Sequence, residues 1–254
     1  MERGEGRYRW NGGELVPADG PQLGLLVADS FLLNDGRVVA PDRHRERFLR
    51  DADIQGIVSP PASFLDAAWQ ALPRAGRWFP RIDLTERGEL ELWVRPAPDL
   101  TRTVTLWVTD DDPRTTPRTK GPDIPALNHL RELAVTAGAT EAIMVDPGGM
   151  VRDGATTCLA WWREDELWVQ PDTVAKVDSV TVGVLRRMAA DRKVPLREGE
   201  VSAEELASAE TWALNSLHGI RGVSGWIPGH TTPVINDSRL DEWRRDYASR
   251  FENL

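Results

Sequence analysis

The chain has little cysteine, little lysine and no long apolar run, and each shortage excludes a class of protein. Its 254 residues include a single cysteine, Cys158, so no disulfide can form within the chain, which argues against a disulfide-stabilised secreted domain. No window approaches the ~18 apolar residues that a membrane span needs. The opening "MERGEGRYRW" has no apolar segment of the kind found in signal peptides. We therefore expect a cytoplasmic protein that does not enter a membrane.

The charge balance excludes a second set of partners. The net charge is −9, so neither nucleic acid nor an anionic membrane is expected as the main partner. Hydrophobic residues make up 41% of the chain and charged residues 28%, which is typical of a globular protein that can bury a core. Eleven tryptophans indicate aromatic cores or pockets without indicating a ligand. We expect Trp161, Trp162 and Trp226 in a core or a dimer interface.

Lysine is scarce in a chain that is rich in basic residues. Only three of the 31 basic side chains are lysines, namely Lys120, Lys176 and Lys193. Lysine can lose its proton and attack a carbonyl, whereas arginine cannot. Lys120 stands just before a predicted helix, so its position favours a chemical role. The alternative is a coding bias toward arginine, with Lys120 as a solvated surface residue.

The pattern of elements predicts two domains. Residues 1–109 combine strands around "YRWNGGELV", "LLVADSFLLNDGRVV" and "ELELWVRPAP" with helices at "PDRHRERFLRDAD" and "SFLDAAWQAL", which indicates a small α+β domain. Residues 110–119, "DDDPRTTPRT", are polar, contain proline and lack periodicity, as is typical of an interdomain linker. Residues 120–254 form the predicted larger domain, with further strands and helices and no repeats.

Three helix starts in the larger domain have capping signals. Asp123 precedes Pro125 and an apolar stripe, so it is the predicted cap of a helix that ends at Gly138. Ser179 is the predicted cap of the helix in "SVTVGVLRRMAADRK", and "SAEEL" carries a capping box from Ser202 to Glu205. The strands "TWALNSL" and "IRGVSGWIP" follow, and "DSRLDEWRRDYASRF" is a predicted terminal amphipathic helix.

A lysine that binds pyridoxal phosphate as a Schiff base needs an anion site for the phosphate and a carboxylate against the pyridine nitrogen. The helix start at Ser179, Val180 and Thr181 is one candidate anion site, because its free N–H groups and dipole favour an anion. Arg47 could add a fixed positive charge, and Asp153 is the carboxylate candidate. Taken singly, each has an ordinary alternative: a plain helix cap, a surface arginine and a turn residue beside a glycine.

Taken together, these residues resemble the fold-type IV pyridoxal-phosphate enzymes. That family includes branched-chain and D-amino acid aminotransferases and 4-amino-4-deoxychorismate lyase. The resemblance consists of a His-x-x-Arg helix, a lysine before a helix, "GATEAIMVDPGGMVRDG", "SVT" at a helix start and "NSLHGIRGV". The family spacing is kept without a gap from Lys120 to Asp153, and the likeness is strong from about 120 to 226 and weak before 40.

The resemblance implies a two-domain α+β fold like that of D-amino acid aminotransferase. A small N-terminal α/β domain would precede a larger C-terminal domain with a mixed β-sheet or barrel and helices. It also implies a homodimer and pyridoxal 5'-phosphate as the cofactor. No metal site is expected.

The resemblance implies roles for individual residues as well. Lys120 would bind the cofactor and later shuttle a proton, while Arg47 would bind the phosphate. Asp153 would face the pyridine nitrogen. The phosphate would also be bound by Val180, Thr181 and Ser216, and the backbone of Leu217 would face a substrate carboxylate. His218 and Arg221 could each bind a substrate carboxylate, or be a turn histidine and a solvent-facing arginine.

Four positions depart from the family pattern. Asp153 replaces Glu, Asp123-Ile124 replaces an Asn-Tyr pair, Val182 replaces the Arg after Thr181, and Asp29-Ser30 stands where Glu-Thr is usual. The shorter Asp153 either brings the backbone closer to the ring or leaves the ring less firmly protonated. These changes predict intact cofactor anchoring and a rewritten substrate pocket.

The leading hypothesis is an enzyme that acts on an amino-group substrate, such as an amino acid or an amino-chorismate. Length and "NSLHGIRGV" look slightly more like the lyase branch, but aminotransferase and lyase stay open because they share their first steps. An aminotransferase of specialised metabolism with an altered pocket is one alternative. A degenerate family member with a binding or scaffold role is another.

Overall fold

The computed structural model describes residues 2–57, 60–229 and 233–254. Its chain divides into two compact units, the first made of Met1–Asp99, Thr119–Pro122 and Arg250–Leu254, and the second of Leu100–Arg118 and Asp123–Ser249. This division places several segments differently from the predicted ranges of 1–109, 110–119 and 120–254. Residues 100–109 belong with the second unit because they contain a strand of its sheet, and Lys120 belongs with the first.

Two sheets and two helices form the first unit. A five-stranded antiparallel sheet has the order β2-β1-β8-β7-β3, and a four-stranded sheet has the order β17-β5-β4-β6. The strands are β1 Gly6–Trp10, β2 Leu15–Pro17, β3 Leu25–Ser30, β4 Leu33–Asn34, β5 Arg37–Val39, β6 Arg77–Trp78, β7 Arg81–Thr85, β8 Leu90–Val94 and β17 Phe251–Asn253. The helices are α1 Pro41–Ile54 and α2 Ala62–Ala71.

Both helices of the first unit contribute to one apolar core. Phe48 of α1 and Phe64 of α2 are fully buried there with residues of β3 and β7. The sequence "PDRHRERFLRDAD" reads as a polar helix, yet its inner face also buries His44, Arg47 and Asp51. Buried polar groups of this kind need partners inside the protein. These partners are what connect the fold to the candidate site.

The second unit is built on a mixed eight-stranded sheet with the order β11-β10-β9-β16-β15-β12-β13-β14. The β9/β10, β9/β16 and β13/β14 pairs are parallel, and the others are antiparallel. The strands are β9 Thr103–Thr109, β10 Glu141–Val145, β11 Val151–Gly154, β12 Cys158–Arg163, β13 Glu166–Val169, β14 Leu196–Glu198, β15 Thr211–Asn215 and β16 Gly219–Ile227. The helices are α3 Ile124–Thr136, α4 Val180–Asp191, α5 Ala203–Ala207 and α6 Asp237–Ser249.

Helices cover the sheet of the second unit. One core cluster joins strand residues, including Trp161 and Trp226, to Leu206 of α5. Another packs Leu130 and Ala134 of α3 against Ala142 and neighbouring strand residues. The predicted α+β class is confirmed, and Trp161, Trp162 and Trp226 are buried. No helix in the described ranges has the length and hydropathy of a membrane span.

The capping predictions have mixed outcomes. Ser179 accepts a hydrogen bond from the Val182 N–H at 3.2 Å, and the Ser202–Glu205 capping box is complete, so both predictions are confirmed. Asp123 precedes α3, but its side chain makes no capping hydrogen bond, so that prediction is wrong. Its carboxylate instead accepts from the backbone N–H and hydroxyl of both Thr115 and Thr116, at 2.8–3.2 Å. The predicted linker is therefore fastened to the start of α3.

Candidate active site

Lys120 is held by its backbone within the first unit. Its N–H donates to the Asp51 carboxylate on α1 at 3.1 Å, and its carbonyl accepts from the Ala28 N–H of β3 at 2.6 Å. Two elements of the core therefore fix the two peptide groups that flank the lysine. The lysine is predicted to do chemistry, and the structure gives its main chain little freedom to move.

The residues beside Lys120 are fixed as tightly. Gly121 has a φ of +149°, and a Cβ added there would lie 2.7 Å from the Val27 Cα, so only glycine fits. On the other side, the Thr119 hydroxyl accepts from the Gln55 side chain at 3.1 Å. The segment 119–121 is thus attached to both β3 and α1. This attachment explains why these residues belong with the first unit.

Arg47 is buried, so the alternative of an ordinary surface arginine is wrong. Its guanidinium donates to both oxygens of Asp29, with Nε–Oδ2 at 2.7 Å and Nη2–Oδ1 at 2.9 Å. His44 Nδ1 lies 2.7 Å from the same Asp29 Oδ1. Burial alone would raise the pKa of Asp29, but Arg47 and His44 together hold it well below its usual range.

Asp29 is one of the residues that depart from the family pattern, and it is the centre of this cluster. We call Asp29, His44 and Arg47 the Asp29 cluster. Burial lowers the pKa of His44 in spite of its bond to Asp29, and the charges of Arg47 and Lys120 add to that effect. The charge of Lys120 therefore contributes to the lowered pKa of His44. Within the first unit, Arg47 therefore binds Asp29 directly, and the charge of Lys120 acts on His44 of the same cluster.

Asp51 is a residue of this region that sequence reasoning missed. It lies four residues after Arg47 on α1, so the two side chains share a face of the helix. Its side chain is fully buried, and burial raises its pKa. Besides the Lys120 N–H, it accepts from Arg50 Nη2 at 3.0 Å. The four-residue spacing from Arg47 was the available signal.

The start of α4 in the second unit has the groups that bind an anion. Val180 and Thr181 are its first helical residues and are buried, and N–H groups at these positions have no acceptor within a helix. Ser179 uses its hydroxyl oxygen to cap the Val182 N–H, so it stabilises the turn that presents the other two amides. The Thr181 side chain is hydrogen-bonded to Tyr247 of α6, and burial of that phenol raises the pKa of Tyr247 to about 12.

Ser216, Leu217 and His218 lie half-buried in the turn between β15 and β16. Asn215 Oδ1 organises this turn by accepting from the Leu217 N–H at 3.2 Å and the His218 N–H at 2.8 Å. In this structure the Leu217 amide is thus bound by its own turn. Gly219 closes the turn with a φ of +67°, and a Cβ there would lie 2.8 Å from the Tyr247 ring.

Tyr247 is the second residue that sequence reasoning missed. It contacts Gly219 and is hydrogen-bonded to Thr181, so it links the start of α4 to the β15–β16 turn. The chain has only two tyrosines, which was a weak signal, and nothing in the sequence of α6 singled this one out. The structure therefore brings Thr181 close to the turn that carries Ser216.

His218 and Arg221 are less exposed than their ordinary alternatives would require. The Thr101 N–H donates to His218 Nδ1 at 3.2 Å, and burial, reinforced by nearby arginines, lowers the pKa of His218 to about 4. Arg221 is 4% exposed, and its Nη2 lies 3.9 Å from Glu141 Oε2. Burial lowers the pKa of Arg221 to about 10. A neutral histidine is a weak ligand for a carboxylate, so of the two Arg221 is the better-charged candidate.

Asp153 lies in β11 and is buried, so it is not a residue of an exposed turn. Its Oδ1 accepts from the Gly154 N–H at 3.0 Å, and its Oδ2 lies 3.5 Å from Arg114 Nη1. Arg114 is closer to Asp112, at 2.6 Å. Burial therefore raises the pKa of Asp153 to about 7 in spite of this cation. A carboxylate in this state would gain from a further N–H donor, as a protonated pyridine nitrogen provides.

The predicted residues thus fit pyridoxal phosphate by their chemistry. The first unit supplies a fixed lysine and a buried guanidinium, and the second supplies helix-start amides, hydroxyls and an under-compensated carboxylate. An anion, an aldehyde and a basic ring nitrogen are the groups that such residues recognise. Among the described residues there is no cluster of three or more His, Cys, Asp or Glu side chains that could hold a metal ion.

Comparison with known proteins agrees with this chemistry. A family described as amino-transferase class IV matches residues 26–226, well over half of the chain. No curated protein sequence matches the chain. Among solved structures, a fold IV transaminase from Curtobacterium pusillum is 15% identical, with a TM-score of 0.82 and coverage of 96% of this chain and 97% of that one.

Two further structures are informative. A hypothetical aminotransferase from Mycobacterium tuberculosis in a PLP-bound form is 16% identical, with a TM-score of 0.79 and coverage of 95% of this chain and 98% of that one. A putative 4-amino-4-deoxychorismate lyase from Legionella pneumophila is 14% identical, with a TM-score of 0.75 and coverage of 91% and 96%. At these identities the likeness establishes the fold, and the predicted two-domain fold type is confirmed.

Proposed function

Because the chain belongs to the amino-transferase class IV family and is a pyridoxal-phosphate-dependent enzyme of that family, we propose that Lys120 is its cofactor lysine. One observation carries this proposal. Both peptide groups that flank Lys120 are hydrogen-bonded to core elements, and the charge of Lys120 acts on His44 of the Asp29 cluster. A surface lysine would need neither feature. The substrate is a small molecule with an amino group.

In the first unit, Lys120 and Arg47 have separate tasks in this proposal. Lys120 would hold the cofactor through its side-chain amine, and the freed amine would take and return the proton at the substrate Cα. Arg47 supplies a fixed positive charge for the phosphate. Because Asp29 grips the guanidinium through two parallel hydrogen bonds, Arg47 has an orientation before any ligand arrives. Preorganisation of this kind strengthens binding.

In the second unit, amides and hydroxyls complete the proposed binding residues. Val180 and Thr181 donate to the phosphate from the start of α4, with Ser179 as the cap of that turn and Ser216 as a further donor. Asp153 would accept a hydrogen bond from the ring nitrogen, and that bond would favour the ionised carboxylate. When bound, the cofactor ring withdraws electrons from the carbon next to the substrate nitrogen.

The residues proposed to bind substrate are Leu217, His218 and Arg221. Support comes from the position of the first two in the β15–β16 turn and of Arg221 on β16. The Arg221 Nε has no hydrogen-bond partner among the described residues. A buried guanidinium with spare donors favours an acidic substrate group over an apolar one. The departures from the family pattern at Asp123 and Val182 support a substrate pocket that differs from the usual pocket of the family.

Absorbance of the purified protein tests the proposal. A visible band that appears with pyridoxal phosphate, bleaches with borohydride and is missing in Lys120→Ala supports it, with Lys193→Ala, at an exposed lysine, as the matched control. A colourless protein that ignores the cofactor supports the scaffold alternative. Pyruvate release from aminodeoxychorismate, set against amino transfer to a panel of keto acids, then separates lyase from aminotransferase.

The proposal includes a homodimer in the cytoplasm. The dimer is supported by the family resemblance, and the cytoplasmic location by the single cysteine. Light scattering after size exclusion measures the mass in solution. A monomeric mass at micromolar concentration contradicts the dimer.

A further inference from the structure

Asp51 is a buried charge that the proposed chemistry does not use. Its carboxylate has no solvent exposure, and among the described residues it is ion-paired with Arg50, the residue before it in the chain, which is 42% exposed. A half-exposed partner of this kind contributes little, while burial of a carboxylate is unfavourable without good hydrogen bonds. The buried partner is the backbone N–H of Lys120, at 3.1 Å from Oδ2. The position of Asp51 therefore points to the lysine.

We propose that Asp51 is a positioning residue that fixes the main chain of Lys120 and so sets the direction in which its amine is presented. This inference rests on the proposed function of Lys120. The carbonyl of the same residue accepts from the Ala28 N–H at 2.6 Å, so α1 fixes the peptide group before Lys120 and β3 the one after it. Loss of the Asp51 carboxylate would remove the bond to α1.

The hydrogen-bond acceptor of Asp51, and not its charge, carries this role. Burial raises the pKa of Asp51, so the protein does not fully compensate the negative charge. A neutral amide oxygen can accept the same N–H bond. Asp51→Asn therefore keeps the function, and Asp51→Ala loses it. This pair of variants separates an acceptor from an ion-pair partner.

Because the chain has only three lysines, the labelling of each can be measured separately. The reactivity of Lys120 toward a trace amine-labelling reagent is measured by peptide mass spectrometry, with Lys176 and Lys193 as internal references in the same molecule. The variants are Asp51→Ala, Asp51→Asn and Arg50→Ala. Asp53→Ala is the matched control, because Asp53 is an exposed aspartate on the same helix. The second readout is the rate at which a pyridoxal-phosphate adduct forms, with the adduct trapped by borohydride reduction.

In Asp51→Ala we expect Lys120 labelling to rise, and adduct formation to slow, by about fivefold each, the size expected for loss of one buried hydrogen bond. Lys176 and Lys193 stay unchanged. Asp51→Asn, Arg50→Ala and Asp53→Ala stay within about twofold of the parent protein. If Asp51→Ala does not fold, as judged by circular dichroism, Asp51→Leu takes its place, since it also lacks an acceptor.

Two results overturn the inference. One is a Lys120 in Asp51→Ala with the labelling and adduct rates of the parent protein. The other is an Asp51→Asn variant as impaired as Asp51→Ala. Failure of the proposed function looks different: the parent protein forms no adduct on Lys120, while the labelling of Lys120 still responds to Asp51→Ala and to no control.

Discussion

The two units hold their proposed cofactor residues in different ways. In the first, polar and charged side chains bind each other inside the core, as Asp29 binds the Arg47 guanidinium and the His44 imidazole. In the second, the proposed phosphate donors are backbone amides and hydroxyls at a helix start, supported by a serine cap and a tyrosine. The difference predicts that removal of one charge strongly lowers the stability of the first unit. Removal of one hydrogen bond in the second should weaken cofactor binding only moderately.

The largest effect is expected from the lysine itself. Lys120→Ala removes the amine that bonds to the cofactor and moves the substrate proton, so the reaction rate should fall by about 10²–10⁴-fold. Rates of the purified variant, measured with saturating pyridoxal phosphate, check this. Lys193→Ala, which alters an exposed lysine, should keep the parent rate. Equal rates in both variants would remove Lys120 from the chemistry.

A substitution of Asp29 tests the contrast between the two units most directly. Asp29→Asn leaves the buried Arg47 without its carboxylate, and removal of one partner of a buried pair lowers the free energy of unfolding by about 3–5 kcal/mol. Urea denaturation measures the change. Asp66→Asn is the control, because Asp66 is 55% exposed in its pair with Arg45 and should contribute about 0–1 kcal/mol. Similar losses in the two variants would contradict the account of the Asp29 cluster.

Asp153 should make stability depend on pH in a way that Asp153→Asn abolishes. Its pKa is raised from 3.8 to about 7 in the folded protein, so the folded state binds this proton more tightly than the unfolded chain. The stability it contributes is therefore full below about pH 4 and is lost as the pH rises through 7, a difference of about 4 kcal/mol.

The measurement is the free energy of unfolding of the cofactor-free protein between pH 4 and pH 8, parent minus variant. Saturation with pyridoxal phosphate should flatten the difference, because a ring N–H would keep the carboxylate ionised. A parent and a variant with the same pH slope would show that Asp153 is not buried as a weakly compensated acid.

The smallest effect is expected in the second unit, at the start of α4. Tyr247→Phe keeps the ring that contacts Gly219 and removes the hydroxyl bonded to Thr181. The dissociation constant of pyridoxal phosphate should rise by about twofold to tenfold, as for one hydrogen bond of ~0.5–1.5 kcal/mol. Fluorescence titration measures it. Tyr8→Phe is the control at the other tyrosine. A rise in the dissociation constant far beyond tenfold would contradict the moderate effect expected in the second unit.

The sequence predicted what depends on local patterns. The Ser179 cap, the Ser202–Glu205 box and the helix at Pro41 follow from hydrogen-bonding rules that act within a few residues, and all three are confirmed. The register from Lys120 to Asp153 led to the family, which the match over residues 26–226 bears out. The residue roles within the site stay predictions, because they depend on contacts with ligands.

What the sequence did not reveal depends on partners far away in the chain. Strand β7 was not predicted, and its polar residues Arg81 and Asp83 are both buried and pair with each other at 2.7 Å. Asp123 was assigned a cap from its place before a helix, but two threonines bind its carboxylate. Asp51 needed the knowledge that residue 120 packs on α1. Composition and periodicity do not carry that information.

The central claim is that Lys120 is the residue that bonds to the cofactor. The most direct test is to load the parent protein with pyridoxal phosphate, reduce it with borohydride and map the modified peptide by mass spectrometry. We expect one modification, on Lys120, with Lys176 and Lys193 unmodified in the same digest. Modification at either of those lysines, or none at all in a folded protein, would contradict the account.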